Sequence, residues 1–73
     1  MLYFIEVVLP LAVSKTFTYQ VSEAEFHYIH IGMRVAVPFG KTKIYTALVL
    51  DKTNTPPQLY EAKEIHQILD EKP

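Results

Sequence analysis

Seventy-three residues with a formal net charge of −1 make at most one small domain. The hydrophobic fraction of 49% is enough for a core, and the absence of cysteine excludes both a disulfide scaffold and a cysteine-held zinc. The cations are too few for the long electrostatic footprint of a duplex-DNA reader, but Arg34, Lys41 and Lys43 lie in an acid-free stretch between acidic flanks, which suits a small phosphate contact.

Leu2 to Leu9 reads as a first strand, with Tyr3, Ile5, Val7 and Leu9 on one face and Phe4 and Val8 on the other, so both faces are expected to be covered. Pro10 ends it. The apolar run 1–13 is too short to cross a bilayer and lacks the basic start and small-residue cleavage site of a signal peptide. A soluble, intracellular protein is the expectation. Lys15 to Val21 reads as a second strand, in which Phe17, Tyr19 and Val21 alternate with Thr16, Thr18 and Gln20. Glu23 to His30 reads as a linker with room for one helical turn.

A third strand, Met33 to Phe39, is entered through Gly32 and left through Pro38-Phe39-Gly40. Pro38 has no N–H to give a ladder, so the strand must end or lie at an edge there. Gly40 offers bare backbone to a turn or a ligand, with Lys41 and Lys43 beside it. Lys43 to Lys52 is the longest predicted strand, and Thr53 to Pro57 a loop stopped by tandem proline. Over Glu61 to Leu69, the spacing of Ile65, Ile68 and Leu69 favours a short helix, and strand is the competing assignment. The fold class expected is mainly β: a small, strongly bent sheet or partly open β-barrel of about five short strands.

Little here reads as catalytic. His27 and His30 are three apart, but no cysteine or carboxylate pair completes a metal set. Ser14 and Ser22 read as loop residues without a base, Glu23 and Glu25 as solvated, and two glycines make no phosphate loop. Phe17-Thr18-Tyr19 carries two readings: aromatics of a half-buried strand, or a wall on which a nucleobase stacks.

Four pieces in order carry a resemblance: Val8-Leu9-Pro10-Leu11; Lys15-Thr16-Phe17-Thr18-Tyr19; Gly32-Met33-Arg34-Val35-Ala36-Val37-Pro38-Phe39-Gly40; and Lys63-Glu64-Ile65 leading to Ile68-Leu69-Asp70-Glu71-Lys72-Pro73. Together they resemble the N-terminal 3′-DNA-end-binding domain of the PriA family, primosomal protein N′, the bacterial replication-restart helicases. The resemblance spans nearly the whole chain, and the Gly-x-Arg-Val-x-Val-Pro-Phe-Gly piece is its most specific part. It implies a single domain over residues 1–73, excised from the start of a longer, cytoplasmic helicase. That domain would be non-catalytic and would recognise the 3′-OH end of a nascent strand at stalled forks. Cofactors are expected to be none here, with ATP and zinc only in the rest of the parent chain.

The implied 3′-end pocket is Phe17, Thr18, Gly40 and Lys63, with Arg34, Lys41 and Lys43 as candidate phosphate contacts. The resemblance also favours a strand from Lys63 onward, against the helical spacing. Two departures stand out. Family members carry an acid where this chain has Thr18, whose hydroxyl both donates and accepts but without charge, so weaker or differently selective binding is expected. Tyr45 or Thr46 stands where a glycine is frequent, which makes that rim bulkier. The alternative function is a protein-interaction module that docks other domains of the parent protein through a sheet edge or through Tyr3, Tyr28, Tyr45 and Tyr60.

Overall fold

The computed structural model describes residues 1–12 and 15–71. Ser14, and the Lys72-Pro73 end of the resemblance, lie outside the described residues. Among the described residues, five strands form one antiparallel sheet: β1 (Tyr3–Val8), β2 (Phe17–Val21), β3 (Arg34–Phe39), β4 (Lys43–Thr53) and β5 (Gln67–Ile68), in the spatial order β2-β1-β4-β3-β5. The mainly β class holds, as a bent sheet that its ladders do not close into a barrel. Across the remaining gap runs one isolated parallel bridge, Gln20 to Glu64.

The alternating pattern forms the core. Ile5 and Val7 of β1, Val35 and Val37 of β3 and Val49 of β4 are fully buried, and Leu9, Tyr19, Val21 and Ala47 join them. Phe4 is also buried, so the second face of β1 is covered there as expected. Between Glu6 and Val7 the β1–β4 register shifts by a bulge, which bends the long strand β4.

At two segments the structure decides what the sequence reading left open: the linker holds a helix, and the last segment takes the strand that the resemblance favours. The linker after Ser22 is a helix, α1 (Glu23–Tyr28). Its start is a capping box: Glu25 N–H donates to Ser22 Oγ at 3.1 Å, and Ser22 N–H donates to Glu25 Oε1 at 2.8 Å. Its end is held by Lys52, whose Nζ donates to the Ile29 carbonyl at 3.0 Å and sits 4.6 Å over the Phe26 ring. The helix suggested by periodicity over 61–69 does not form. Instead Gln67–Ile68 pair with Ala36 and Val35. Ile65 and Ile68 reach the core from this extended chain, so their spacing serves two short β contacts and not a helical face.

The C-terminal segment positions the site. Its first part docks on the free edge of β2: Gln20 N–H donates to the Lys63 carbonyl at 2.8 Å and Ile65 N–H to the Gln20 carbonyl at 3.3 Å. Its second part docks on β3: His66 N–H donates to the Ala36 carbonyl at 2.7 Å and Leu69 N–H to the Arg34 carbonyl at 3.0 Å. One short stretch thus touches both sides of the open seam.

Candidate nucleic-acid interface

Where the seam stays open there is a cleft of about 290 Å³. Phe17, Thr18 and Tyr19 of β2 form one wall, Pro38, Phe39 and Gly40 the other, and Tyr60, Glu61 and Lys63 cross between them. Lys15 stands at the lip. β5 is only two residues long and pairs with Val35 and Ala36, so beyond Ala36 strand β3 has no second neighbour among the described residues. Pro38 sits in this unpaired part, where its missing N–H costs nothing.

Side chains, not strands, span the seam. Tyr19 Oη donates to the Pro38 carbonyl at 2.7 Å. Burial, and then the nearby Tyr60, push the Tyr19 phenol above its ordinary pKa, which keeps its proton in this bond. Lys63 Nζ donates to the Gly40 carbonyl at 3.1 Å and keeps two further protons to give. Phe17 meets Phe39 edge to face at 5.2 Å between ring centres, and Tyr45 backs Phe39 at 5.9 Å. Thr18 N–H, on the outer edge of β2, donates to Tyr60 Oη at 2.8 Å, and the phenol keeps its own proton as a donor.

Gly40 turns with φ +71°, a conformation that a side chain disfavours, and a Cβ placed there would meet nothing within 4 Å. Conformation, not crowding, therefore calls for the glycine, and the backbone around it is open to a ligand.

Phe17, Thr18, Gly40 and Lys63, far apart in the chain, all line this cleft. The other three candidates do not line it. Arg34, at the opposite end of β3, is engaged by Asp70: backbone N–H to Oδ2 at 2.8 Å, Nε to Oδ1 at 3.0 Å and Nη2 to Oδ1 at 2.8 Å. Lys41 and Lys43 are exposed in and beside the turn after Gly40. Thr18 shows a further commitment, since its Oγ1 donates to Glu6 Oε2 at 2.7 Å across the β1–β2 pair. Thr18, where the resemblance implies an acid, thus hydrogen-bonds a carboxylate on the neighbouring strand.

Sequence reading offered Tyr19 only as part of the Phe17-Thr18-Tyr19 wall and did not assign Lys15, Pro38, Phe39, Tyr60 or Glu61 to the site. For Phe39 a signal existed, because it shares a strand face with Val35 and Val37 beside Gly40. For Tyr60 and Glu61, in an aperiodic loop, there was none. Three of the four tyrosines have separate surroundings: Tyr3 packs on Phe26 at 5.0 Å, Tyr45 behind Phe39, and Tyr60 in the cleft.

The arrangement offers an aromatic face, ammonium and hydroxyl donors and backbone carbonyl acceptors, which are the means to hold a nucleotide. Residues 6–73 match the family model described as 3′DNA-binding domain (3′BD), that of PriA. The chain belongs to the PriA 3′DNA-binding domain family. It is a DNA-binding module, non-catalytic by itself, whose partner is DNA with a 3′ end. No curated protein and no solved structure matches the chain significantly. Among the described residues, no group of His, Cys, Asp and Glu could hold a metal ion, and no helix is long and apolar enough to cross a membrane.

Proposed function

We propose that the cleft holds the terminal nucleotide of a nascent strand by its free 3′-OH at stalled forks, and that this serves replication restart. One observation carries the reading: the Lys63 ammonium and the Gly40 carbonyl meet in a cleft of about 290 Å³ that Phe17 also lines, so a polar pair and an aromatic side chain share one space. The base stacks on Phe17, and Lys63 with Gly40 faces the sugar end. Discrimination among bases is poor, because stacking and backbone contacts carry little sequence information. Affinity of the isolated domain is on the order of micromolar, about −8 kcal/mol, and other domains of a longer helicase chain add avidity. ATP and zinc belong, in this reading, to that remainder.

Fluorescence anisotropy with two 5′-labelled single strands, one ending in 3′-OH and one in 3′-phosphate, tests the reading. The expected result is a preference for 3′-OH that Lys63→Ala removes, at a cost of about 1.5–3 kcal/mol for a bond from a charged donor. Equal binding of the two ends, or no binding, overturns it.

A second reading has its own observation. Ile44, Leu48 and Leu50 of the central strand β4 are exposed, and an apolar hollow of about 270 Å³ lies beside Leu48, Val8, Leu9 and Pro10. A bare apolar face on a central strand suits docking of another domain of the parent protein. High salt weakens phosphate binding and leaves apolar docking nearly unchanged, which separates the two.

A further inference from the structure

Lys15 has no assigned role, and its position is unusual. Its side chain is exposed, just before β2, and its Nζ lies 5.0 Å over the centre of the Phe17 ring. Both residues line the cleft. A base that stacks on this face of Phe17 needs the space that the ammonium occupies. Among the described residues lining the cleft, the cations are Lys15 and Lys63, and Lys63 is tethered to the Gly40 carbonyl. Arg34 is engaged by Asp70 at the far end of β3. The lysine stem is flexible and its ammonium strongly hydrated, so leaving an exposed ring face costs little when an anion is within reach.

We infer that Lys15 covers Phe17 in the free domain and, when a base takes that face, carries its ammonium onto the phosphodiester next to the terminal nucleotide. This rests on the terminal-nucleotide reading above and deepens it. Lys15 then contributes twice with opposite sign: it opposes stacking and favours the phosphate. Neutralising the phosphate exposes the first effect alone.

The test is anisotropy with two 3′-OH oligonucleotides, one with an ordinary last internucleotide linkage and one with an uncharged methylphosphonate there. Each is titrated with wild type, Lys15→Ala and Lys15→Arg across a salt series. On the ordinary strand Lys15→Ala should weaken binding severalfold and lower the slope of log affinity against log salt by about 0.7, the value for one phosphate on a single strand, while Lys15→Arg retains the slope. On the methylphosphonate strand Lys15→Ala should bind as tightly as wild type or tighter. An unchanged slope in Lys15→Ala, or equal losses on both strands, overturns the inference while a wild-type preference for 3′-OH over 3′-phosphate leaves the proposed function standing. Loss of that preference in the wild type overturns both.

Discussion

At its first residue, Arg34, strand β3 is paired on both sides: Leu48 of β4 lies opposite, and on the other side Asp70 takes the Arg34 backbone N–H and guanidinium while Leu69 N–H meets its carbonyl. Toward its last residues, Pro38 and Phe39, the same strand has only the β4 side, and the carbonyls of Pro38 and of the turn residue Gly40 are met by Tyr19 and Lys63 side chains arriving from across the seam. Both ends carry positive charge. At the first it is spent within the fold, and at the second it stands beside an open cleft. Backbone pairing closes a gap because a strand lies flat against its neighbour, whereas side chains that reach over several ångströms leave space beneath them. The cleft is therefore where the sheet runs out of strand.

This contrast can be broken most strongly at the open end. Phe17→Ala should weaken binding of a 3′-OH oligonucleotide by about 1–3 kcal/mol, the worth of one stacked base, as read by anisotropy. If affinity stays and only the melting temperature falls, Phe17 is a packing residue and the cleft is not a stacking site.

Thr18→Asp tests the next level. The structure adds a cost to the expectation that an acid there improves binding, because the new carboxylate faces Glu6 directly across β1–β2 and the 2.7 Å hydrogen bond is lost. The single variant should lose about 0.2–1 kcal/mol of stability at neutral pH, the range for cross-strand pairs, and Glu6→Gln should restore it. Any gain in 3′-end affinity then shows in the double variant, measured well below its melting temperature. Equal stability of Thr18→Asp and wild type would mean that the Glu6 contact contributes nothing.

The smallest effect belongs to the closed end. Arg34→Ala should leave oligonucleotide affinity unchanged, since Asp70 engages the guanidinium. Hydrogen bonds from Arg34 hold the Asp70 carboxyl below its ordinary pKa. A carboxyl with a depressed folded pKa contributes stability above its unfolded value and loses it as pH falls through the folded value. The stability of wild type in urea should thus fall as the pH drops below the ordinary aspartate pKa, and Asp70→Asn should remove that part of the slope. Weakened DNA binding in Arg34→Ala would move the interface toward the closed end of β3.

Much of this was legible locally. Alternation along Tyr3–Val8, Phe17–Val21 and Arg34–Phe39 marked strands and their buried faces, because side chains alternate sides of a sheet whatever its partners. The helix had a local signal too, the capping-box pattern Ser22-Glu23-Ala24-Glu25, but reading Ser22 as a loop residue and Glu23 and Glu25 as merely solvated left it as a linker with room for one turn. Over 61–69 periodicity alone misled, because two isoleucines three apart satisfy a helical period equally well when each fills a different β contact, whereas the strand that the resemblance favoured is the one that forms. For the site, the resemblance gave Phe17, Thr18, Gly40 and Lys63, and these line one cleft. Their spacing in the chain could not have brought them together.

The sequence by itself determined the first four strands, the turn at Gly40 and the edge position of Pro38, because each depends on a few neighbouring residues and the conformations open to them. The tertiary structure alone decided which cations are spent and which remain. Arg34 meets Asp70 from 36 positions away, Tyr60 meets Thr18 from 42, and Lys63 meets Gly40 from 23. Such meetings depend on how the last segment crosses the seam, which is set by closing long loops onto two strand edges and not by any local preference.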